Sequence, residues 1–349
     1  MATIFETSKR AIGGVYQRMS TLILAAAFTT LPIVSVYAGV GIAYFEIGKG
    51  VGGHLKWMIF YPADADFQTT EIGPYDVTGL VGAKMKAGKF PLVVISHGSS
   101  AGMLSHHDMA SYLAMSGFVV AAVEHAGDNY RDSSGLGRIS TAYRRPREVS
   151  EVVDAMLEGP YGPGVDRDRI GVVGYSAGTV TALMLAGADP DFTVLEDYCR
   201  RIAEPIALCE GGGRLIAGDT NERSVTDPRI GAALLLAPIG AMFHDQAIEV
   251  DAPIGIVAAE SDRELPIADH ANPLSRQIST LSVFEIIPLA GHYVFLAPCS
   301  DALKAVKQEI CSDPPFVDRQ HEHALLNSLA VSFFNHSFDT KHRLDAVGR

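Results

Sequence analysis

Gly174-Tyr175-Ser176-Ala177-Gly178 is the stretch of this 349-residue chain whose residue types could support nucleophilic catalysis. It matches G-x-S-x-G. The apolar run Arg169 to Val173 precedes it directly, and a helical run at 178–186 follows. Strand, sharp turn and helix in that order predict a nucleophile elbow, which exposes a serine hydroxyl above a sheet edge. Gly174 and Gly178 answer a steric demand, because side chains there would collide with the adjoining strand and helix.

A serine hydroxyl needs a base to become a good nucleophile, and in this setting the chain order is serine, acid, histidine. The downstream histidines are His244, His270, His292, His321, His323, His336 and His342. Of these, His292 alone follows a strand-like run, Ser282 to Leu289, and stands in a small-residue turn, Ala290-Gly291-His292. His321 and His323 fall at a helix start and read as solvated. Glu260 and Asp262 both follow the strand-like Pro253 to Ala259; Asp262, just before Arg263-Glu264-Leu265-Pro266, is the expected acid and Glu260 the runner-up. An acid there would hold the imidazole tautomer and stabilise its cation. The oxyanion donors expected are the backbone N–H groups of Ala177 and Ser99, the latter in the loop His97-Gly98-Ser99-Ser100.

That set predicts cleavage of a small-molecule carboxylic ester through an acyl-enzyme, without a cofactor. A peptidase or amidase could use the same triad, and a binding protein could retain the fold without the chemistry. His106, His107 and Asp108 offer metal-ligating types, but they lack partners at fixed helical spacing and more simply open a helix. No metal site is therefore expected.

The elements needed to position these residues are legible. Phe90 to Ser96, Gly117 to Val123, Arg169 to Val173, Ile230 to Ala237 and Pro253 to Ala259 are continuous apolar runs ending in turn residues. Such runs suit strands of a parallel sheet buried on both faces. Val149, Val152, Val153, Met156 and Leu157 share one helix face, and Leu325, Leu326, Leu329 and Phe333 stripe a last helix. Alternating strands and helices predict an α/β fold with a mostly parallel central sheet and helices on both faces. Leu55 to Tyr61, before Pro62, reads as an antiparallel edge strand. Residues 188–229 break the rhythm and read as a small cap insertion, and 336–349 as a loose polar tail.

Apolar residues make up 48% of the chain, enough for a sizeable core, and the net charge is −12. An acidic chain is a poor partner for nucleic acid. Lys9, Arg10 and Arg18 precede the apolar Thr21 to Ala38, broken by Pro32 and ending Val36-Tyr37-Ala38. This predicts a signal peptide over residues 1–38 and a domain over 39–349, exported to a periplasm or secreted, with no stable membrane insertion after cleavage. The alternative is an N-terminal membrane anchor. The cysteines fall as two close pairs, Cys199 with Cys209 and Cys299 with Cys311, which in an oxidising compartment predicts two local disulfides. The oligomeric state is open.

These segments resemble a known family. FYPAD at 60–64, PLVVISHGSS at 91–100, GFVVAAVEHAGDN at 117–129, RRPREVSEVVDAML at 144–157, DRDRIGVVGYSAG at 166–178, DPRIGAALLLAP at 227–238 and LAGHYVFLAPC at 289–299 are similar to predicted dienelactone hydrolases close to the platelet-activating-factor acetylhydrolases. The resemblance implies the α/β-hydrolase fold. Two departures bear on the site. Dienelactone hydrolases proper carry a cysteine nucleophile, whereas position 176 is serine. The acetylhydrolases carry their acid after the strand that here reads GAALLLAP, where no carboxylate occurs; this moves the expected acid to Asp262.

Overall fold

Valine- and alanine-rich segments form the middle of the sheet because both of their faces are covered. The computed structural model describes residues 39–50, 53–202, 207–210, 225–243 and 247–347. The expected signal peptide, 1–38, lies outside them. In chain order the elements are β1 (Gly39–Gly50), β2 (Gly53–Ala63), β3 (Thr69–Ile72), β4 (Tyr75–Thr78), β5 (Leu80–Val81), β6 (Phe90–Ser96), α1 (His107–Met115), β7 (Val119–Glu124) and α2 (Ile139–Glu158). Then follow β8 (Val165–Tyr175), α3 (Ala177–Ala186), α4 (Phe192–Arg201), α5 (Ala207–Glu210), β9 (Ile230–Leu236), β10 (Ile254–Ala259), α6 (Ala271–Gln277), β11 (Leu281–Ile287), α7 (Asp301–Val306), α8 (Gln308–Cys311) and α9 (Arg319–Val347).

One sheet runs in the order β11-β10-β9-β8-β6-β7-β2-β1-β5. The ladders from β11 to β7 are all parallel, while β2 pairs antiparallel with both β7 and β1. Successive residues of β6 serve opposite faces, as the pleat requires. Leu92 and Val94 join an apolar cluster with α2 and α3, and Val93 and Ile95 join another with α1 and α9.

The chain steps from β6 to β7 on one side, then crosses back to place β8 on the other. This reversal leaves a crevice at the carboxyl ends of β6 and β8, where open α/β sheets bind ligands. The loop from Ser96 and the turn at Ser176 both open there.

Three sequence expectations are corrected. The segment at 55–61 is antiparallel but internal, since β1 pairs along its outer side. Residues 336–347 continue α9 instead of forming a loose tail, and Phe338 is anchored in the core, its ring stacked on Phe334. On the same helix Leu326 and Phe333 are buried as expected, but Leu325 is exposed and Ala330, Val331 and Phe334 are buried as well, so the inward face reaches beyond the expected stripe. Within 188–229 the described residues include the two helices α4 and α5. Disulfide Cys199–Cys209 ties α4 to α5, Asp191 N–H donates to Met242 O at 2.7 Å, and the Tyr198 ring lies against His270. The second disulfide joins Cys299 to Cys311. Among the described residues no helix is long and apolar enough to cross a membrane.

Candidate active site

Ser176 occupies the junction of β8 and α3 with φ 51° and ψ −116°. A non-glycine residue at positive φ is strained and persists only when its surroundings over-determine it. Here Ser176 N–H donates to Leu236 O at 3.0 Å, and the Thr179 hydroxyl donates to Ser176 O at 2.6 Å. A Cβ on Gly174 would stand 2.2 Å from Gly178 O, and one on Gly178 would stand 2.0 Å from Ser96 O. Both contacts are with backbone that cannot move aside, so the turn admits only glycine at these positions.

His292 opens a 3-10 turn, His292–Phe295, after β11. Its Nε2 lies 3.1 Å from Ser176 Oγ, and its Nδ1 lies 2.8 Å from Asp262 Oδ2. Asp262 is buried in the loop after β10, and its second oxygen accepts the N–H groups of Glu264 at 2.9 Å and Leu265 at 2.8 Å. A carboxylate facing Nδ1 selects the Nδ1–H tautomer, which leaves Nε2 free to accept the serine proton. Glu260 is exposed and engaged elsewhere, accepting Leu289 N–H at 2.7 Å. Of the two carboxylates weighed from the sequence, Asp262 is thus the one brought to His292.

Ala177 is the first residue of α3, and the loop after β6 passes directly beside Ser176. A Cβ on Gly98 would meet the Tyr175 ring at 3.0 Å and Ser176 Cβ at 3.3 Å. Ser99 follows, exposed, at the mouth of the crevice. His106, His107 and Asp108 do not converge on one point: His106 Nδ1 faces Phe295 O, and Asp108 Oδ2 faces His323.

Comparison with known proteins agrees with this architecture. A model of the family described as platelet-activating factor acetylhydrolase, isoform II, matches residues 39–151, a stretch that ends before Ser176. A platelet-activating factor acetylhydrolase of Canis lupus familiaris is 26% identical over an alignment covering 30% of this chain and 33% of that protein. The chain therefore matches about a third of the length of this curated relative. A ferulic acid esterase from Streptomyces cinnamoneus superposes with a TM-score of 0.58 at 16% identity, covering 88% of this chain and 92% of that one. The chain has an α/β-hydrolase fold, and its N-terminal part is similar to the platelet-activating factor acetylhydrolases.

Around this site the chain carries polar groups that the motifs did not reveal. Asp128 Oδ1 accepts Ser100 N–H at 2.9 Å, and its Oδ2 accepts Arg145 Nη1 at 2.8 Å. Arg145, itself buried, also donates to His97 O. The two residues grip both ends of the segment that holds Gly98 and Ser99. Beneath them runs a second serine–histidine–acid chain: Ser96 Oγ lies 2.9 Å from His125 Nε2, and His125 Nδ1 lies 2.6 Å from Glu148 Oε2. All three members are buried, so this chain braces the strand ends out of substrate's reach. Burial holds the His97 and His125 rings well below the ordinary imidazole range, helped by the nearby Arg145 charge, so both are neutral. Tyr175 donates its hydroxyl to His292 O at 3.1 Å, and burial, aided by Asp262, raises it well above the ordinary phenol range. It thus remains a donor at any working pH. These contacts lay beyond sequence reading because they join residues 17 to 117 positions apart. The one local signal was the placement of His97 and His125 at strand ends.

Proposed function

We propose that the chain is a serine hydrolase that cleaves carboxylic esters through an acyl-enzyme. The observation that carries this reading is the unbroken hydrogen-bonded series Asp262–His292–Ser176 at the crevice of an α/β-hydrolase sheet. In the first half-reaction Ser176 Oγ attacks the ester carbonyl carbon while His292 Nε2 takes the hydroxyl proton. The carbonyl π pair moves onto oxygen, where the N–H groups of Ala177 and Ser99 stabilise it. Collapse breaks the carbon–alkoxide bond, and the alcohol leaves with the proton held on His292. Water then repeats the attack on the acyl-enzyme, His292 again carrying the proton, and the acid departs. Asp262 orients the ring and stabilises its cation throughout without taking the proton.

Both the acetylhydrolase and the ferulic acid esterase named above are ester hydrolases by title, which supports an ester over an amide as the substrate class. Export of the hydrolase, as a periplasmic or secreted protein, is supported by its two disulfides, which suit an oxidising compartment. The segment at 188–229 is read as a cap that sets acyl and alcohol preference.

The test is hydrolysis of p-nitrophenyl acetate in the presence of EDTA by the wild type and by Ser176→Ala. The wild type should turn over, and the variant should be slower by about 10⁴-fold or more with its fold intact. Full esterase activity in Ser176→Ala would overturn the reading. Intact mass of the exported protein checks the leader: an N-terminus at Gly39 is expected, and retention of residues 1–38 would refute cleavage there.

A further inference from the structure

The turn that carries His292 is held by its carbonyls from three sides. The His292 carbonyl accepts the Tyr175 hydroxyl at 3.1 Å, the Phe295 carbonyl faces His106 Nδ1 at 2.9 Å, and the Val294 carbonyl faces His323 Nε2 at 2.7 Å. His323 differs from the other two in its second contact. Its Nδ1 lies 2.6 Å from Asp108 Oδ2, which also accepts Asn327 Nδ2 at 2.9 Å. A carbonyl and a carboxylate are both acceptors, and a neutral imidazole has only one N–H to give. Both bonds exist together only if both ring nitrogens carry protons. Asp108 lies in the first turn of α1, where a negative charge is favoured by the helix dipole.

We infer that His323, as a buried imidazolium paired with Asp108, is a positioning residue that fixes the turn presenting His292 to Ser176. The inference rests on the serine-hydrolase reading and deepens it by naming a residue on the last helix that acts through the base. The charged and titratable groups facing His323 are Asp108, His107 and His106 on α1 and Arg319 on its own helix. Burial and Arg319 oppose its charge, but the attraction of Asp108 and the two hydrogen bonds outweigh them and raise it above the ordinary imidazole value. Burial would likewise raise the Asp108 carboxyl, yet His323 and Asn327 hold it below its usual range. As pH rises through the elevated value, His323 keeps one proton for two acceptors. Either Val294 O or the Asp108 carboxylate then loses its donor, and the turn loosens.

The experiment combines ¹⁵N-histidine NMR with pH profiles of kcat and KM for the wild type, Asp108→Asn and His323→Gln. At pH 7 both nitrogens of His323 should be protonated. In the wild type kcat should fall at alkaline pH as His323 loses its proton. Asp108→Asn should move that fall to lower pH by about one unit or more, since it removes the stabilising charge. His323→Gln should lower kcat about 10- to 100-fold with KM changed less than about twofold, and should abolish the alkaline fall, because small displacements of a catalytic group cost rate rather than binding. A singly protonated His323 at pH 7, or an Asp108→Asn profile superimposable on the wild type, overturns the inference even if His323→Gln does not fold. Wild-type kcat and profile in a folded His323→Gln overturn it equally. Ser176→Ala is assayed alongside: activity surviving there refutes the hydrolase reading, whereas the NMR result bears on His323 alone.

Discussion

At the scale of single residues the site divides into what spacing encodes and what only folding assembles. Ser176, His292 and Asp262 are separated by 116 and 30 positions along the chain, yet their hydrogen bonds link them in one series. Each was legible because it stands at the end of its own strand, and strand ends converge at one edge of a parallel sheet. The choice between Asp262 and Glu260 rested on loop position and on the missing carboxylate after GAALLLAP. Asp262→Asn should lower kcat by about 10⁴-fold through loss of the correct imidazole tautomer. Glu260→Gln, which removes only the charge of an exposed group bound to Leu289 N–H, should stay within about threefold of the wild type. Steady-state kinetics on the two variants decide the matter, and a large loss in Glu260→Gln with a small one in Asp262→Asn would reverse the assignment. His323 was not legible in this way. It lies at a helix start, where exposure is the usual reading, and its partners Asp108 and Val294 are 215 and 29 positions away.

At the scale of elements, the apolar runs predicted the central strands well, because a strand covered on both faces must be apolar throughout. Register and neighbours were less legible. Leu55 to Tyr61 looked like an edge because the strand that covers it, β1, is the first of the domain and from Ala43 to Gly48 alternates half-buried with exposed residues. The last helix taught a related lesson. Four apolar residues were read as its inner stripe; Leu326 and Phe333 are buried, but Leu325 is exposed, and the buried face also takes in His323, Asn327, Ala330, Val331, Phe334, Ser337 and Phe338. The buried band is thus wider than the apolar stripe, and the polar His323, Asn327 and Ser337 within it disguised its extent. The helix packs on the strand that leads to Ser176: a Cβ on Gly171 of β8 would meet the Phe334 ring at 2.5 Å. Gly171 is thus small so that Phe334 can seat there, between the rings of Phe118 and Phe338. Phe334→Ala should cost about 3–5 kcal/mol, the usual range for emptying a buried aromatic site. Leu325→Ala, at an exposed position, should lie within about 0.5 kcal/mol of the wild type. Urea unfolding of both variants checks which face of the helix is buried; equal losses would mean that the buried face is misassigned.

At the scale of the whole domain, buried histidines set how stability responds to pH. His97, His106, His125 and His270 are all buried, and desolvation lowers each below the ordinary imidazole value, His106 and His270 to about 4. His270 shows why neutrality matters, since its Nδ1 accepts the N–H groups of Gly240 at 3.1 Å and Ala241 at 3.3 Å and a protonated nitrogen could not. In the unfolded chain these imidazoles take up protons near pH 6.5, while in the fold they do not. The unfolded state therefore binds more protons below about pH 6.5, and stability falls as pH falls. Each such group contributes a slope of up to about 1.4 kcal/mol per pH unit, continuing for His106 and His270 until they protonate in place. Burial raises Glu124 and Glu148, which therefore work in the opposite sense near pH 4.5 and offset part of the loss. His323, raised instead, contributes stability at low pH that fades only as pH rises through its elevated value. Against a total of about 5–15 kcal/mol for a typical domain, a deficit of several kcal/mol over two pH units is decisive. Acid unfolding should thus have its midpoint above about pH 4, well before the paired carboxylates Asp108 and Asp227 are protonated. Trp57, the one tryptophan in the sequence, is buried and stacked on Phe45, so its fluorescence reports the transition. A native emission spectrum retained at pH 4 would show that these four rings do not govern the acid limb.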